Sequence, residues 1–402
     1  MKPPVLFLEQ QAWRAGGQRV LEDVLDALVE DFEPLVAFPE DGPFAAALRA
    51  RDIETLLYPL GSYRPGRKSV GEMLGFAGRS VVCGLQLARV IARRGIRLVY
   101  INGPRCLPAG VLAARLAGCA SLFHLHRTLT RKSELFLAAR AARLAGRIVA
   151  CSQASADALV SANPNLGSSM QVVYNPAPPL SPKERRRCQL AARESPIPHG
   201  PIVGFVGRFT PGKGLHVLLE ASARLRARWP QIQIEMVGAP APQNPGDASY
   251  VRKLESRVVE LGLGSNLRWV GYRADPGPWF ARFDVLALPS VDNGDGVPMV
   301  ALEAAQWGVP VVAARAGGIP EVVRDGVSGL LVPPGDEKAL ALALEHVLGD
   351  PALRARLAAG TCTSLDQRFS PETFRRTIHE IVSGLVSPAC GVAREKEIEA
   401  RV

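Results

Sequence analysis

Arg208 and Lys213 flank a glycine-rich turn, Gly207-Arg208-Phe209-Thr210-Pro211-Gly212-Lys213-Gly214, that follows the apolar run PIVGFV and precedes a helical period. A diphosphate bound at the end of a strand needs two positive charges, and Arg adds bidentate donor geometry. The glycines permit close backbone approach. The turn does not match the GxxxxGK[ST] phosphate loop, and its plainer reading is a Gly/Pro turn with two solvated cations. Further along, LPSVDNGDGVPMVALEAAQWGVPVVAARAGGIPE holds two carboxylates, Asp295 and Glu303. Val300 to Trp307 reads as a helix, which puts Glu303 in its first turns and Asp295 in the loop before it. Carboxylates so placed can accept hydrogen bonds from vicinal sugar or ribose hydroxyls; otherwise Asp295 is a turn residue and Glu303 a capping or solvated acid.

Two weaker signals lie in the first half. Gly16-Gly17 follows the apolar run VLFLE and opens a helical period, and N–H groups at a helix N-terminus attract phosphate. The run ASLFHLH (120–126) places His124 and His126 on one face of a strand, so spacing cannot choose between them.

The elements that must carry these residues alternate. VLFLE, PLVAF, RLVYING, ASLFHLH, RIVACS and QVVYNPA read as strands separated by helical periods, including a long amphipathic run from Val70 to Arg94. After SPKERRRCQLAARESPIPHG (181–200), rich in Pro and basic residues, the rhythm restarts with PIVGFVGRF and continues through IQIEMVG, NLRWVGY, DVLALP, VPVVAA and GLLVPP. Short apolar runs alternating with helices predict parallel strands joined by crossover helices. The expected architecture is α/β: two doubly wound domains facing across a cleft, over 1–180 and 201–369, linked by 181–200. The amphipathic helix 370–385 is expected to pack back on the first domain, and the polar tail 386–402 to be mobile.

Composition bounds the answer. The chain has 402 residues, 47% apolar and 21% charged, enough for two cores. No uninterrupted apolar run approaches the ~18 residues that span a bilayer, and Met1-Lys2-Pro3-Pro4 leads into a strand rather than a signal peptide. The seven cysteines are scattered without a CxxC or Cys/His cluster, which argues against zinc and for reduced thiols in a cytoplasmic protein. The net charge of +10 is concentrated between Arg64 and Arg147, where sixteen Lys and Arg face only Glu72 and Glu134. Such a field suits an anionic membrane surface, a lipid diphosphate or an acidic glycan; the plainer reading is a solvated Arg-rich surface. Charge alone would allow nucleic acid, but no recognised nucleic-acid motif accompanies it.

Together these residues resemble a retaining glycosyltransferase of family 4 with the GT-B fold. That family shows EGxPxVxLEAxAxGxPVVxxxxGGxxE. This chain has Asp295-Gly296-Val297-Pro298-Met299-Val300-Ala301-Leu302-Glu303-Ala304-Ala305, then Gly308-Val309-Pro310-Val311-Val312 and Gly317-Gly318-Ile319-Pro320-Glu321. The family's glycine–cation turn is similar to Gly207-Arg208 and Lys213-Gly214, its first Gly-Gly to Gly16-Gly17, its strand ending in His to Phe123–His126, and its Asn-Pro turn to Asn175-Pro176. The resemblance implies a nucleoside diphosphate sugar donor, UDP- or GDP-linked, and no metal or other cofactor. It implies that Arg208 and Lys213 neutralise the diphosphate, with Gly16 and Gly17 approaching it. Glu303 would hold the ribose, while Asp295 and the backbone from Val297 through Pro298 and Met299 to Val300 hold the transferred sugar. His126 would stand near the reacting carbon. Asp295 departs from the usual Glu and is shorter by about 1.5 Å of reach. The expected acceptor is a lipid-linked or cell-surface glycan precursor at the inner face of the membrane. The alternatives are a nucleotide-sugar 2-epimerase of similar fold and a non-catalytic nucleotide-sugar-binding protein.

Overall fold

The structure, a computed structural model, describes residues 2–13, 16–61, 69–178, 200–241 and 244–387, with Ser181 and Arg186. Most of the linker expected over 181–200, and the tail from 388 on, lie outside the described residues. Two compact units are formed: one from the described residues up to Pro176 and from Pro371 on, the other from those between Ala177 and Ser370. At the changeover the Ala177 N–H donates to the Phe369 carbonyl at 2.9 Å, so the two crossing segments are hydrogen-bonded to each other.

In the first unit the described strands are β1 (Pro4–Glu9), β2 (Glu33–Phe38), β3 (Glu54–Leu57), β4 (Leu98–Asn102), β5 (Ala120–Leu125), β6 (Arg147–Ala150) and β7 (Met170–Val172). They pair in parallel in the order β3-β2-β1-β4-β5-β6-β7. Val5 to Leu8 of β1 are wholly buried because helices cover both faces of a parallel sheet. β3 was not among the expected strands: ETLL is a short edge strand with both ends exposed, and it lacks the apolar run that marks its neighbours. The helices are α1 (Gly16–Leu28), α2 (Pro43–Arg49), α3 (Val70–Arg94), α4 (Leu107–Leu116), α5 (Lys132–Ala142) and α6 (Gln153–Ala162).

α3 opens on a reciprocal capping box between Ser69 and Glu72 and closes on Gly95 in the left-handed conformation. By length and composition alone it could cross a bilayer, although no uninterrupted apolar run within it approaches ~18 residues. Gly and Arg interrupt its apolar runs, so run length conceals it. One face is buried: Cys83, Leu87 and Ile91 join the core, and a Cβ at Gly84 would lie 2.7 Å from the Leu112 side chain of α4. The opposite face leaves Val70, Leu74, Val81, Val82 and Leu85 exposed, and Met73 is exposed near the start of the helix.

The second unit holds β8 (Ile202–Val206), β9 (Gln233–Val237), β10 (Leu267–Gly271), β11 (Val285–Leu288), β12 (Val311–Ala314) and β13 (Gly329–Val332), parallel in the order β10-β9-β8-β11-β12-β13. Its helices are α7 (Leu215–Arg226), α8 (Pro245–Glu260), α9 (Gly277–Phe280), α10 (Met299–Gln306), α11 (Ile319–Val322), α12 (Glu337–Gly349) and α13 (Pro351–Arg368). Neither α12 nor α13 was among the expected elements, although both carry a start signal: Asp336 accepts from the Lys338 and Ala339 N–H groups, and Asp350 from Leu353 N–H. α14 (Pro371–Val386) returns to the first unit and buries Phe374, Ile378 and Val382 at a four-residue spacing. Beside α1, Arg375 stands 3.5 Å from Asp23, and His379 meets Asp31 at 2.8 Å.

The glycine-rich turn leaves the end of β8 beside the end of β9, and their backbones touch. Gly238 has φ of 146°, and a Cβ there would lie 1.8 Å from the Gly207 carbonyl oxygen. Gly238→Ala should therefore shift the Gly207–Arg208 backbone and cost on the order of 3 kcal/mol, combining backbone strain with overpacking. Urea unfolding would show this as a lowered midpoint; an unchanged midpoint would mean the close approach is not required.

Candidate functional site

In the second unit the loop after β8 is locked to the loop after β11. Val291 N–H donates to the Gly212 carbonyl at 2.9 Å, and a Cβ at Gly214 (φ 69°) would stand 1.8 Å from the Pro289 carbonyl oxygen. Pro211 starts a single 3-10 turn through Lys213, and Gly214 then caps α7. The locking brings Lys213 Nζ onto Asp295 Oδ1 as an ion pair, and Ser290 Oγ donates to Asp295 Oδ2 at 2.7 Å. Asp295 has 16% of its side chain exposed and Lys213 29%, so water screens the pair only partly. Burial alone would raise the Asp295 pKa, but the Lys213 charge and hydrogen bond, the Ser290 hydroxyl and the Arg208 charge outweigh it and hold the carboxyl below its ordinary 3.8. Arg208 is exposed at the start of the turn.

The Gly-Gly turn at 317–318 fastens the other side of this loop. Gly318 N–H donates to the Asp295 carbonyl at 2.8 Å, and Gly317 N–H to Asn293 Oδ1 at 3.1 Å. Gly317 has φ of 51°, and a Cβ there would meet the Asp295 carbonyl oxygen at 2.3 Å. Val297 and Pro298 are buried; Met299 and Val300, half-buried, begin α10. Glu303 lies within that short apolar helix and is itself buried. Arg208, Lys213 and Asp295 are thus brought together, with Val297 to Glu303 following directly. The sequence reading treated Lys213 and Asp295 as separate contacts; the structure couples them, and it adds Ser290, whose only signal was a hydroxyl just after a strand.

In the first unit α1 begins at Gly16, which is exposed, with Gly17 half-buried. A Cβ on Gly17 would stand 3.6 Å from the His126 ring. The two histidines differ in surroundings. His124 is fully buried in β5 with its Nδ1 on the Tyr100 hydroxyl at 2.6 Å, whereas His126 follows the strand end. Their rings stack at 3.9 Å between centroids. Burial holds His124 well below its ordinary pKa, helped by His126, and pushes His126 down to about 4, so both rings are neutral at pH 7. His126 Nε2 meets Asn102 Oδ1, Asn102 Nδ2 donates to Glu9 Oε2, and Gln18 Nε2 donates to Glu9 Oε1 at 2.8 Å. Burial drives the Glu9 pKa up to about 7 against the lowering effect of Asn102, Gln18 and the Gln10 and Gln11 N–H groups. Glu9, Asn102 and Gln18 were not among the sequence candidates. Their signal was a polar residue closing each of two apolar strands, VLFLE and LVYIN.

Asn175 of the Asn-Pro turn is buried, and its Oδ1 lacks a hydrogen-bond partner. Among the described residues no three His, Cys, Asp or Glu side chains gather where a metal ion could be held.

The model of the family "Glycosyltransferase Family 4" matches residues 14–179, and that of "Glycosyl transferases group 1" matches residues 200–350. The chain is 33% identical over 212 residues to a D-inositol 3-phosphate glycosyltransferase of Corynebacterium efficiens, covering 48% of each chain. It is 34% identical over 172 residues to the lipopolysaccharide core biosynthesis glycosyltransferase LpsE of Rhizobium meliloti, covering 43% of this chain and 46% of that one. These matches span less than half the length of the curated relatives. Among solved structures, Anabaena Alr3699/HepE in complex with UDP is 28% identical with a TM-score of 0.77, covering 96% of this chain and 100% of that one. Its complex with UDP-glucose is 27% identical, with the same TM-score, covering 95% and 99%. Sucrose-phosphate synthase from Thermosynechococcus elongatus, 21% identical with a TM-score of 0.76 over 96% of this chain and 99% of that one, shares the fold.

The coupling of Lys213 to Asp295 has a pH signature. A carboxyl whose folded pKa lies below its unfolded value stabilises the fold above about pH 3.8 and loses that contribution as pH falls through the folded value. Asp295→Asn should cost about 2 kcal/mol at pH 7, between the values for exposed and buried pairs. The gap to wild type should close below pH 3.8 in urea unfolding. A gap independent of pH would show that the pair contributes nothing electrostatic.

Proposed function

The chain belongs to the group 1, family 4 glycosyltransferases and has the GT-B fold, and from that premise we propose that it transfers a hexosyl unit, with retention at the anomeric carbon, from a nucleoside diphosphate sugar. The observation that carries this reading is Lys213 locked beside Asp295 at the ends of β8 and β11, with the Arg208 charge in reach. The reaction breaks the bond from the anomeric carbon to a diphosphate oxygen, and negative charge grows on that oxygen. Fixed cations at that point stabilise the transition state more than the ground state. Arg208 and Lys213 supply that charge, so we propose transfer without a metal.

On this reading Glu303 accepts from the ribose hydroxyls, while Asp295 and the backbone from Val297 to Val300 hold the transferred sugar. In the first unit Gly16 and Gly17 present helix N–H groups to the diphosphate, and His126 accepts from a sugar hydroxyl. UDP is favoured over GDP by the UDP and UDP-glucose held in the Anabaena structures. The leaving phosphate oxygen takes the acceptor's proton as the new glycosidic bond forms on the same face.

The acceptor is proposed to be a lipid-linked or cell-surface glycan precursor at the inner face of the membrane. The exposed stripe of α3, with Val70 at 67% and Leu74 at 68%, lies on a helix that also carries Arg79, Arg89 and Arg93. Apolar side chains flanked by guanidinium groups suit the surface of an anionic bilayer.

Two measurements test this reading. Thermal shift against UDP, GDP, ADP and their sugars should single out one nucleotide, and Lys213→Ala should lower transfer by about 10²-fold or more. Wild-type turnover in a protein carrying both Lys213→Ala and Glu303→Ala would refute the assignment, and an epimer formed from donor alone would make the enzyme an isomerase. For the membrane, flotation with anionic liposomes should capture the protein at low salt and release most of it at high salt, with Leu74→Ser and Leu85→Ser weakening capture. No binding at either salt would remove the membrane-surface proposal.

A further inference from the structure

The ends of three neighbouring strands carry a polar chain with a defined direction. Glu9 of β1 is in register with Asn102 of β4, and Asn102 with His124 of β5, so His126 follows two residues beyond. The Glu9 carboxylate receives the Gln10 N–H at 2.7 Å, the Gln11 N–H at 3.2 Å and Gln18 Nε2 at 2.8 Å, all on Oε1. Two of these donors are backbone groups and cannot reverse. Gln18 cannot reverse freely either, because its own oxygen accepts from Gln11 Nε2 at 3.2 Å. Oε2 is left to receive Asn102 Nδ2.

Above about pH 7, where Glu9 is ionised, its carboxylate only accepts, so it turns the Asn102 amide nitrogen toward itself and the amide oxygen toward His126. His126 Nε2 must then carry the ring proton, and Nδ1 holds the lone pair. That Nδ1 is enclosed and has no hydrogen-bond partner; in neighbouring His124 the Nδ1 is held by Tyr100 and it is the Nε2 that is enclosed without a partner. Gly17 packs against one side of the His126 ring and His124 stacks on it, which limits its rotation.

We propose that Glu9 and Asn102 are positioning residues that fix His126 in the Nε2–H tautomer, so that its Nδ1, closed to solvent in this structure, keeps the lone pair that a hydroxyl of the transferred sugar meets once the ring is uncovered. The sugar in this statement rests on the function proposed above; the tautomer relay does not. No group in the chain changes its bonding during transfer, since the relay orients one acceptor and moves no proton.

The test is nitrogen-resolved NMR of the imidazoles, with the His126 signals identified by their loss in His126→Gln. Wild-type protein should show His126 as Nε2–H at about pH 8.5, where Glu9 is ionised, and all variants are compared there. Glu9→Gln places an amide nitrogen where the carboxylate was, turns Asn102 over, and should convert His126 to Nδ1–H. In the same variant kcat should fall roughly 10²-fold with little change in the donor KM. Asn102→Ala, which adds no bulk, should leave a mixture of both tautomers should Glu9→Gln not fold. Wild-type His126 as Nδ1–H, or an unchanged tautomer in both variants, overturns the relay. A converted tautomer with unchanged kcat overturns its role in transfer. Absence of transfer by wild-type protein that still shows Nε2–H counts against the proposed function alone.

Discussion

A parallel sheet covered on both faces tolerates charge along its strands only where it is paired, as Glu235 within β9 is by Arg282 and Arg268, so the charges of the candidate sites sit where the strands end. There the two units resolve the constraint in opposite ways. At the end of β1, Glu9 is buried among neutral donors, and burial wins: its pKa rises to about 7. Past the end of β11, Asp295 is buried beside a lysine with an arginine in reach, and the cations win: its pKa falls. The same residue chemistry yields an orienting acceptor in one unit and an electrostatic anchor in the other, and the difference is the charge of the nearest partner.

The anchor depends on backbone contacts that a side chain would break. Gly214 touches the Pro289 carbonyl, Gly238 touches that of Gly207, and Gly317 touches that of Asp295. These three approaches hold the loops after β8, β9, β11 and β12 against one another. Lys213 therefore does not search for Asp295; it is delivered to it. The short turn from Pro211 to Gly214 fixes the backbone of Lys213, so only its side-chain rotamers remain to be ordered in the pair.

Much of this was legible in the residues. The alternation of apolar runs with helical periods carried the doubly wound class, and the Gly, Pro and acidic spacing from Asp295 to Glu321 pointed to the loops that the structure locks together. What stayed hidden was lateral. Glu9, Asn102 and His126 lie far apart in sequence, and only the pairing of β1 with β4 and β4 with β5 makes them neighbours; no single strand shows it. The choice between His124 and His126 was hidden for the same reason, since both share a face and only the strand's end separates them. β3 was hidden by its edge position, and α12 and α13 despite the capping aspartates that open them, whereas the amphipathic run from Val70 to Arg94 is the helix α3.

Asp295 is one methylene shorter than the residue the family usually carries, and the structure gives that change a consequence. A shorter acid held by Gly318 and Ser290 stays close to its own loop, and there it pairs with Lys213. On the proposed reading, a diphosphate entering this unit would draw on a lysine already paired with Asp295. It therefore gains less from Lys213 than from an unpaired cation, and more of its binding falls on Arg208, which is exposed. Charge that grows only in the transition state is a different matter. As the leaving oxygen becomes more negative, Lys213 can shift toward it while Ser290 continues to hold Asp295, so the pair yields most where the reaction needs it. On the proposed reading, the substitution moves part of the lysine's contribution from binding the donor to breaking its bond.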